Sequence, residues 1–342
     1  MKKIIALSLL LASFNVTANW AIYKVDSFAL GTLVNAQFKT STVEEAQRCY
    51  DIANNETRRL ENIFSTYIPN SDISQLSSSV NQWVRVNPET AEILELSKKI
   101  AKDTQGAFDP TVGALVKLWS VDQSYARVPT EKEIKEALKN VGYEQILIKK
   151  NNEGIFARLK KDQVLTLGAI GKGYIADKVI EQLNKNNCFN NLISFGGNVV
   201  ANGTNLSMKP WTIGLQEPAK ERGNFFATVH ANNESVVTSG NYEKFFIKNG
   251  IKYHHLLDPT TGYPVKATIS SVTIINKNSA FADAMCTALF VMGWDKALDY
   301  LKAHPEIKAV LVDENLTKIA YTKNLSGILK IANRQYVTKI IQ

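Results

Sequence analysis

Two histidines and a carboxylate stand together in one short segment of this chain. Only four histidines occur in 342 residues, and His254 and His255 precede Asp258 and the turn Pro259-Thr260-Thr261-Gly262-Tyr263-Pro264. Such turns hold polar groups in fixed geometry on a loop, where catalytic groups usually sit. The segment therefore predicts an acid or base. Adjacent strand residues point to opposite faces, so only one of the two histidines can face a given site.

A second chemical feature follows shortly afterwards. Asp283 and Thr287 are four residues apart, a spacing that places both on one face of a helix. A carboxylate and a hydroxyl are hard oxygen ligands, which could hold Mg²⁺ with help from substrate phosphates or carbonyls. The alternative is a purely structural role, in which Asp283 caps the helix and Thr287 packs against neighbouring side chains. Beside the histidines, the pair favours metal-assisted chemistry on an oxygen-rich substrate.

Three further segments carry weaker signals. Gly168-Ala169-Ile170-Gly171-Lys172-Gly173 could bring backbone N–H groups close to a phosphate, or could simply be a tight strand-to-helix turn. Its spacing matches neither the Walker A loop nor the dinucleotide-binding fingerprint. Asp109 could cap a helix or bind a ligand, and Tyr67 could stack on a planar ring or pack. The segments 195–198 and 238–242 are interpreted as structural turns.

The elements that must position these groups are interleaved strands and helices without strict alternation. This order predicts an α+β fold with mixed or antiparallel sheets and flanking helices rather than a doubly wound sheet. Capping signals place helix starts at Thr42, Asn87 and Thr130. Further helices are expected over 172–186 and 280–292, with another ending before Pro305, and strands over 32–38, 146–149, 164–167, 192–195, 212–216, 226–230 and 270–275.

Composition narrows the class of protein. The net charge of +8 comes from scattered lysines and arginines, which suits anionic ligands and gives little support to nucleic-acid binding. The three cysteines, Cys49, Cys188 and Cys286, are odd in number and have no paired spacing, so the sequence predicts neither a zinc site nor a disulfide framework. Cys286 is expected to be a small buried hydrophobe.

The first residues are typical of an export signal. Lys2 and Lys3 precede a short apolar segment, and Val16-Thr17-Ala18 fits a cleavage site. The segment is shorter than the roughly 20 residues that span a bilayer. No cysteine precedes Cys49, which argues against a lipid anchor. We expect residues 1–18 to be removed, leaving residues 19–342 as a soluble periplasmic protein with no transmembrane span. A buried N-terminal element is the alternative.

Taken in order, these segments resemble the FAD:protein FMN transferase family, the ApbE-like flavin transferases. The resemblance covers nearly the whole expected mature chain. Its most specific element is the His-x-x-Asp-Pro-x-Thr-Gly pattern that begins at His255. The other elements are Leu30-Gly31-Thr32, Ser65-Thr66-Tyr67 with Ser71-Asp72-Ile73, Gly106 to Val112 with Leu118-Trp119, Leu167 to Asp177, Phe195-Gly196-Gly197, Thr238-Ser239-Gly240 and Ala282 to Thr287.

The resemblance implies a two-lobed single domain that binds FAD and Mg²⁺. It implies transfer of FMN from FAD to a threonine or serine of an acceptor flavoprotein, through a phosphoester bond, with release of AMP. The implied acceptors include subunits of ion-pumping NADH:quinone and related electron-transfer complexes. Water as the acceptor would make the protein an FAD pyrophosphatase, and retention of unchanged FAD would make it a non-catalytic flavin-binding protein.

The resemblance also implies roles for particular residues. His255 corresponds to the catalytic residue, and Asp283, Thr287 and the carbonyl of Ala169 correspond to metal ligands. The implied flavin-contact positions are Leu30, Tyr67, Ala107, Phe108, Asp109, Thr166, Lys172 and Leu256. The chain departs from the family pattern at Leu30, Thr166 and Asn241, where Met, Asp and Asp are usual, and Thr166 removes a carboxylate from the expected flavin site.

Overall fold

The computed structural model describes residues 20–218, 220–221 and 223–342, so the expected signal peptide over 1–18 lies outside the described residues. The helices are α1 Val43–Phe64, α2 Asp72–Ser78, α3 Pro88–Asp103, α4 Gly113–Trp119, α5 Glu131–Leu138, α6 Gly171–Lys185 and α7 Ser279–Ala303. The strands are β1 Ala21–Ala29, β2 Thr32–Thr40, β3 Val84–Arg85, β4 Leu147–Asn151, β5 Gly154–Arg158, β6 Asn191–Phe195, β7 Asn198–Asn202, β8 Trp211–Gln216, β9 Phe225–Ala231, β10 Glu234–Gly240, β11 Phe245–Lys248, β12 Ile251–His254, β13 Ile269–Asn276, β14 Lys308–Asp313, β15 Lys318–Thr322, β16 Leu329–Ile331 and β17 Val337–Ile341.

One large sheet organises the described part of the chain. It has nine strands in the order β1-β2-β6-β7-β10-β13-β14-β15-β17, and each neighbouring pair is antiparallel except β15 and β17. Three small sheets are formed by β16-β9-β8, β3-β5-β4 and β11-β12. Mixed sheets with helices confirm the α+β class expected from the sequence.

The large sheet is buried on both faces. In β13 the neighbouring residues Ile274 and Ile275 belong to different hydrophobic clusters, because successive strand side chains point to opposite sides. Ile274 packs in the cluster that includes α1, α6 and α7. Ile275 packs in a second cluster with the small sheet of β8 and β9. The result is a layer of helices, the large sheet, and a second sheet behind it.

A third, smaller cluster holds the segment of the two histidines. Leu257 packs with Trp119 of α4 and Ile134 of α5, and the hairpin β11–β12 adds Phe246 and Tyr253. The rings of Phe246 and Tyr253 stack 5.2 Å apart. An isolated two-stranded hairpin is marginally stable in water, so this packing is what holds β11–β12 in place.

All three predicted helix starts are confirmed, but the capping box predicted at Thr42 is incomplete and Asn87 makes no side-chain capping hydrogen bond. The Thr130 side chain accepts from the Glu133 N–H and the Glu133 carboxylate accepts from the Thr130 N–H, a complete capping box. At Thr42 the hydroxyl accepts from the Glu45 N–H, whereas the Glu45 carboxylate accepts from Ser41. Helix α3 begins at Pro88, directly after Asn87. Along α7 the backbone leaves the helical conformation at Gly293, which has φ 75°, in agreement with two predicted helical segments.

Two secondary-structure predictions were wrong. Residues 164–167 form no strand, since only Val164 makes an isolated bridge, to Val112, and the next two N–H groups donate to the Ser77 hydroxyl and the Pro110 carbonyl. The segment interpreted as a turn at Thr238–Gly240 lies in the central strand β10 and pairs with β13. Buried strands lack the alternation that identifies strands in a sequence.

The prediction about cysteines was also wrong. Cys49 of α1 and Cys188, just after α6, form a disulfide that closes a sequence separation of 139 residues. The third cysteine, Cys286, is buried and free as expected. The odd number of cysteines therefore did not exclude a disulfide, because pairing depends on which helices pack together.

Reduction of this disulfide is expected to lower the free energy of unfolding by about 2–4 kcal/mol, since a cross-link over a long loop restricts the unfolded chain. Urea unfolding of the wild type with and without reductant measures the difference. The Cys49→Ser/Cys188→Ser variant should match the reduced wild type and should not respond to reductant. The prediction would be contradicted if reductant left the unfolding midpoint of the wild type unchanged.

Candidate active site at the junction of helices 6 and 7 and the histidine loop

The first turns of α6 and α7 meet through the Asp283 carboxylate. Asp283 is 3% exposed, and its Oδ2 accepts from the Gly173 N–H at 3.0 Å. This close approach requires glycine, because a Cβ on Gly173 would lie 2.2 Å from the Ser279 carbonyl oxygen. The contact joins residues 110 positions apart and fixes Asp283 against the glycine-rich segment.

Asp177 of α6 holds the start of α7 in the same region. Its two carboxylate oxygens accept from the N–H groups of Ser279 and Ala280 at 2.8 and 2.9 Å. A carboxylate at a helix N-terminus satisfies donors that have no partner within the helix. Asp177 was not assigned a role from the sequence, since nothing local marks an aspartate on one helix as the cap of another.

Lys172 lies between the carboxylate and the glycine-rich turn. Its Nζ donates to the Gly168 carbonyl at 3.1 Å and lies 3.7 Å from Asp283 Oδ1. The lysine is therefore near the carboxylate without a direct hydrogen bond to it. Its ammonium can move to an anion placed at the start of α6, whereas the N–H groups of Gly171 and Gly173 there already donate to the Leu167 carbonyl and to Asp283.

The oxygen groups here fit a hard cation. Asp283 supplies a buried carboxylate, and the partly buried Thr287 hydroxyl makes no hydrogen bond to another described residue. Ala169 lies in the turn before α6 and offers a backbone carbonyl. No group of three or more His, Cys, Asp or Glu side chains within the described ranges could hold a metal ion. A cation would thus depend on the hydroxyl, the carbonyl and substrate oxygens, a donor set typical of Mg²⁺.

His255 directly follows β12. Its N–H donates to the Lys244 carbonyl at 3.1 Å, and its ring Nδ1 lies 3.2 Å from the same oxygen. A carbonyl can only accept, so we assign the ring hydrogen to Nδ1, which leaves the Nε2 lone pair available. Burial lowers the pKa of His255 to about 4, and the positive charges of Lys244 and Lys172 act in the same direction. The imidazole is therefore neutral at neutral pH.

His254 has a different role. Its Nε2 lies 3.0 Å from the Val265 carbonyl, and its Nδ1 accepts from the Leu256 N–H at 3.3 Å. Its ring packs edge-to-face on Phe290 of α7. Both nitrogens of a neutral imidazole are satisfied by this arrangement, so His254 ties the loop after β12 to the helix that carries Asp283.

The loop itself is closed by its turn residues. The Asp258 carboxylate accepts from the Thr260 N–H and hydroxyl at 2.8 and 2.7 Å, which identifies this aspartate as a turn former rather than an acid catalyst. The Gly262 carbonyl accepts from the Trp119 Nε1–H at 2.8 Å. A Cβ on Gly262, which has φ 75°, would lie 2.6 Å from Ile134. Glycine is thus required where the loop meets α4 and α5.

Acidification is expected to destabilise the fold through His254. Burial lowers the pKa of His254 from 6.5 to about 4, so below pH 6.5 the unfolded chain takes up a proton that the folded chain resists. Stability is unaffected above that pH and falls as the pH drops towards 4. From pH 7 to 5 the expected loss through His254 is about 2 kcal/mol, given by the difference between the wild type and His254→Gln, because the lowered pKa of His255 adds a loss of its own to both proteins. Urea unfolding of the wild type and His254→Gln at both pH values measures it, and equal losses in the two proteins would refute the prediction.

The expected flavin-contact positions differ in exposure. Phe108 and Leu256 are buried in the main hydrophobic cluster, and Leu30 and Ala107 pack against it. Tyr67, by contrast, is 79% exposed. It lies outside that cluster, and partial burial of its hydroxyl raises the pKa of Tyr67, to which the charges of Asp122 and Tyr125 add.

Asp109 and Thr166 are already engaged within the protein. Asp109 Oδ1 accepts from the Thr111 N–H and hydroxyl, and its Oδ2 accepts from the Tyr143 N–H at 3.1 Å. The Thr166 hydroxyl accepts from the Gly168 N–H at 3.3 Å, which shapes the glycine-rich turn. Because both oxygens of the Asp109 carboxylate accept these hydrogen bonds, the carboxylate stabilises its own loop.

Of the departures from the family pattern, Asn241 has a local explanation, whereas nothing in the structure explains the leucine at position 30. Leu30 and Gly31 both have positive φ, 55° and 67°, in the turn that joins β1 to β2, and the Leu30 N–H donates to Glu61 at 2.8 Å. Buried Asn241 donates from its amide to Glu314 at 2.7 Å. An aspartate could not donate to that carboxylate, so the asparagine fits its neighbour here.

Within residues 20–218, 220–221 and 223–342, no helix combines the length and apolar character that crossing a membrane requires.

Comparison with known proteins identifies relatives over most of the chain. A curated FAD:protein FMN transferase of Haemophilus influenzae is 34% identical over 242 residues, which cover 69% of this chain and 70% of the relative. A second, of Klebsiella pneumoniae, is 28% identical and covers 86% of this chain and 90% of its own length. The crystal structure of the ApbE protein of Thermotoga maritima superposes with a TM-score of 0.81 at 32% identity, covering 89% of this chain and 98% of that one. The sequence model of the ApbE family matches residues 30–311, and the chain belongs to the ApbE family.

Proposed function

We propose that this chain transfers the FMN part of FAD to a threonine or serine hydroxyl of an acceptor flavoprotein and releases AMP, in a reaction that depends on Mg²⁺. The observation that carries the proposal is the meeting of buried Asp283, Lys172 and the glycine-rich turn beside a neutral His255. The names of the curated relatives support the same activity.

In the proposed reaction one bond to phosphorus forms as another breaks, and a side chain of this protein takes up the proton. The acceptor oxygen attacks the phosphorus of the FMN half, and the bond from that phosphorus to the bridging oxygen breaks. The hydroxyl proton passes to Nε2 of His255, and AMP leaves with the bridging oxygen. Phosphoryl transfer needs alignment and charge stabilisation more than covalent help.

Each remaining group then has a task. The Lys172 ammonium, which lies beside the glycine-rich turn, holds phosphate oxygens. Asp283, Thr287 and the Ala169 carbonyl would hold Mg²⁺, which would supply charge neutralisation on the pyrophosphate. Leu30, Ala107, Phe108 and Leu256 are the apolar side chains that we expect to contact the flavin, and exposed Tyr67 would stack on its ring.

A labelling experiment tests the proposal. The protein is mixed with FAD, Mg²⁺ and a flavin-free acceptor subunit of an ion-pumping NADH:quinone complex, and the acceptor is analysed by mass spectrometry while AMP is assayed. An acceptor heavier by one FMN with matching AMP is the expected result. AMP with free FMN and no labelled acceptor would indicate a pyrophosphatase, and FAD that stays intact would indicate a flavin-binding protein.

We also propose that the chain acts outside the cytoplasm, after removal of residues 1–18. The signal-like N-terminal sequence and the Cys49–Cys188 disulfide support this location, because disulfides persist in oxidising compartments. Cell fractionation with N-terminal sequencing of the mature protein tests it. A cytoplasmic protein that keeps Met1 would refute it.

A further inference from the structure

We propose that the hairpin β11–β12 is the docking surface for the acceptor, and that it binds an acidic polypeptide segment with apolar side chains next to the residue that receives FMN. This inference rests on the proposed transferase function. It adds a surface for the protein substrate, which the site at α6 and α7 does not supply.

Position is the first argument. The hairpin ends at His254, and its base continues into His255, whose N–H pairs with the Lys244 carbonyl just before β11. A hydroxyl that gives its proton to His255 must therefore approach beside this hairpin. A polypeptide that carries the hydroxyl has the hairpin as its neighbouring surface.

The second argument is the exposed apolar surface. Phe245, Ile247 and Ile251 are 43%, 65% and 55% exposed, although Phe246 and Tyr253 of the same hairpin are stacked and packed in the cluster with Trp119. The packing of Phe246 and Tyr253 already anchors the hairpin. Phe245 and Ile247 lie on the face of the hairpin opposite Phe246 and Tyr253, and Ile251 lies at its tip, so the exposed side chains extend around the tip. They are not needed for anchoring, and neighbouring exposed apolar residues mark interaction sites.

The positive charge of the hairpin indicates the kind of polypeptide that it would bind. Residues 244–254 contain Lys244, Lys248 and Lys252 and no aspartate or glutamate. Lys244 pairs with Asp122 at 3.2 Å, whereas neither Lys248 nor Lys252 forms an ion pair with any carboxylate in the described ranges. Lys252 instead lies 4.7 Å from the Phe245 ring centre. Apolar side chains with two available ammonium groups fit a partner rich in carboxylates and apolar groups.

The Asp122–Lys244 pair holds the base of the surface. Asp122 lies in the connection between α4 and α5, near Tyr67, and Lys244 supplies the carbonyl that His255 contacts. The ion pair thus joins the expected flavin-stacking side of the site to the proposed acceptor surface. Docking on the hairpin would present the acceptor hydroxyl between these two parts.

Two variants test the surface. Ile247→Ser/Ile251→Ser removes apolar area at the tip, and Lys248→Glu/Lys252→Glu reverses the charge, while His255 and the helices stay unchanged. The control, Lys330→Glu/Lys339→Glu, makes the same charge change at exposed positions of β16 and β17. FMN transfer is measured against the concentration of the flavin-free acceptor subunit at saturating FAD and Mg²⁺, with FAD binding and thermal unfolding measured in parallel.

We expect both hairpin variants to raise the KM for the acceptor by about tenfold or more, as for the loss of interface anchors, with unchanged FAD binding. The control should match the wild type. Acceptor KM values equal to wild type in the variants would overturn the docking surface and leave the transferase intact. A wild type that releases AMP without labelling the acceptor would overturn the proposed function itself. If the isoleucine variant unfolds, the lysine variant alone decides, since its side chains are exposed.

Discussion

His255→Ala is expected to lower FMN transfer by about 100- to 10,000-fold while FAD binding survives, because a positioned general base contributes that much to the rate. The variant removes the one ring nitrogen assigned as a free acceptor, at Nε2, but leaves Lys172 and Asp283 in place. The Lys244 carbonyl still accepts from the backbone N–H of residue 255. The substitution should therefore lower the turnover rate and leave the affinity for FAD unchanged.

The measurement is single-turnover labelling of the acceptor with FAD binding followed by flavin fluorescence. His230→Ala, at an exposed position of β9, is the matched control and should be as active as the wild type. Equal loss of transfer and of FAD affinity in His255→Ala would identify His255 as a binding residue instead.

Asp283→Asn is expected to remove Mg²⁺-dependent transfer, with a loss of about 100-fold or more, since a metal on phosphate oxygens stabilises the transition state by several kcal/mol. The substitution keeps the shape of the side chain and an oxygen that can accept from the Gly173 N–H. It removes the charge of the one carboxylate among the expected ligands. The packing of α6 against α7 should therefore persist while the metal site weakens.

Two measurements distinguish a weakened metal site from a misfolded protein. Mg²⁺ binding by calorimetry in the presence of FAD should weaken in Asp283→Asn, and the thermal unfolding midpoint should stay near that of the wild type. Asp299→Asn changes an exposed aspartate of the same helix, paired with Lys302, and serves as the control. An Asp283→Asn protein that keeps the wild-type response to Mg²⁺ would exclude Asp283 from the site.

The structure also changes how the histidine segment is interpreted. The sequence indicated that only one of two adjacent histidines could serve the site, and the resemblance favoured His255. In the fold, His254 uses both ring nitrogens to hold the loop, and His255 retains a free one. The division between them follows from two carbonyls, that of Val265 beside His254 and that of Lys244 beside His255, each 11 positions away in the sequence.

Local features of this protein were determined by its sequence alone. The capping residues Thr42 and Thr130, the turn residues around Asp258 and Gly262, and the helical spacing of Asp283 and Thr287 act over a few residues. Their hydrogen bonds and backbone angles depend little on distant parts of the chain, so their patterns predicted the elements correctly.

Tertiary structure alone decided the contacts between distant segments. The Cys49–Cys188 disulfide, the contact of Asp283 with Gly173 and the hold of Asp177 on α7 join residues more than 100 positions apart. The strand nature of Thr238–Gly240 likewise depends on its partner β13. Such contacts form only when loop closure and the packing of whole elements bring the segments together, and no local pattern encodes that packing.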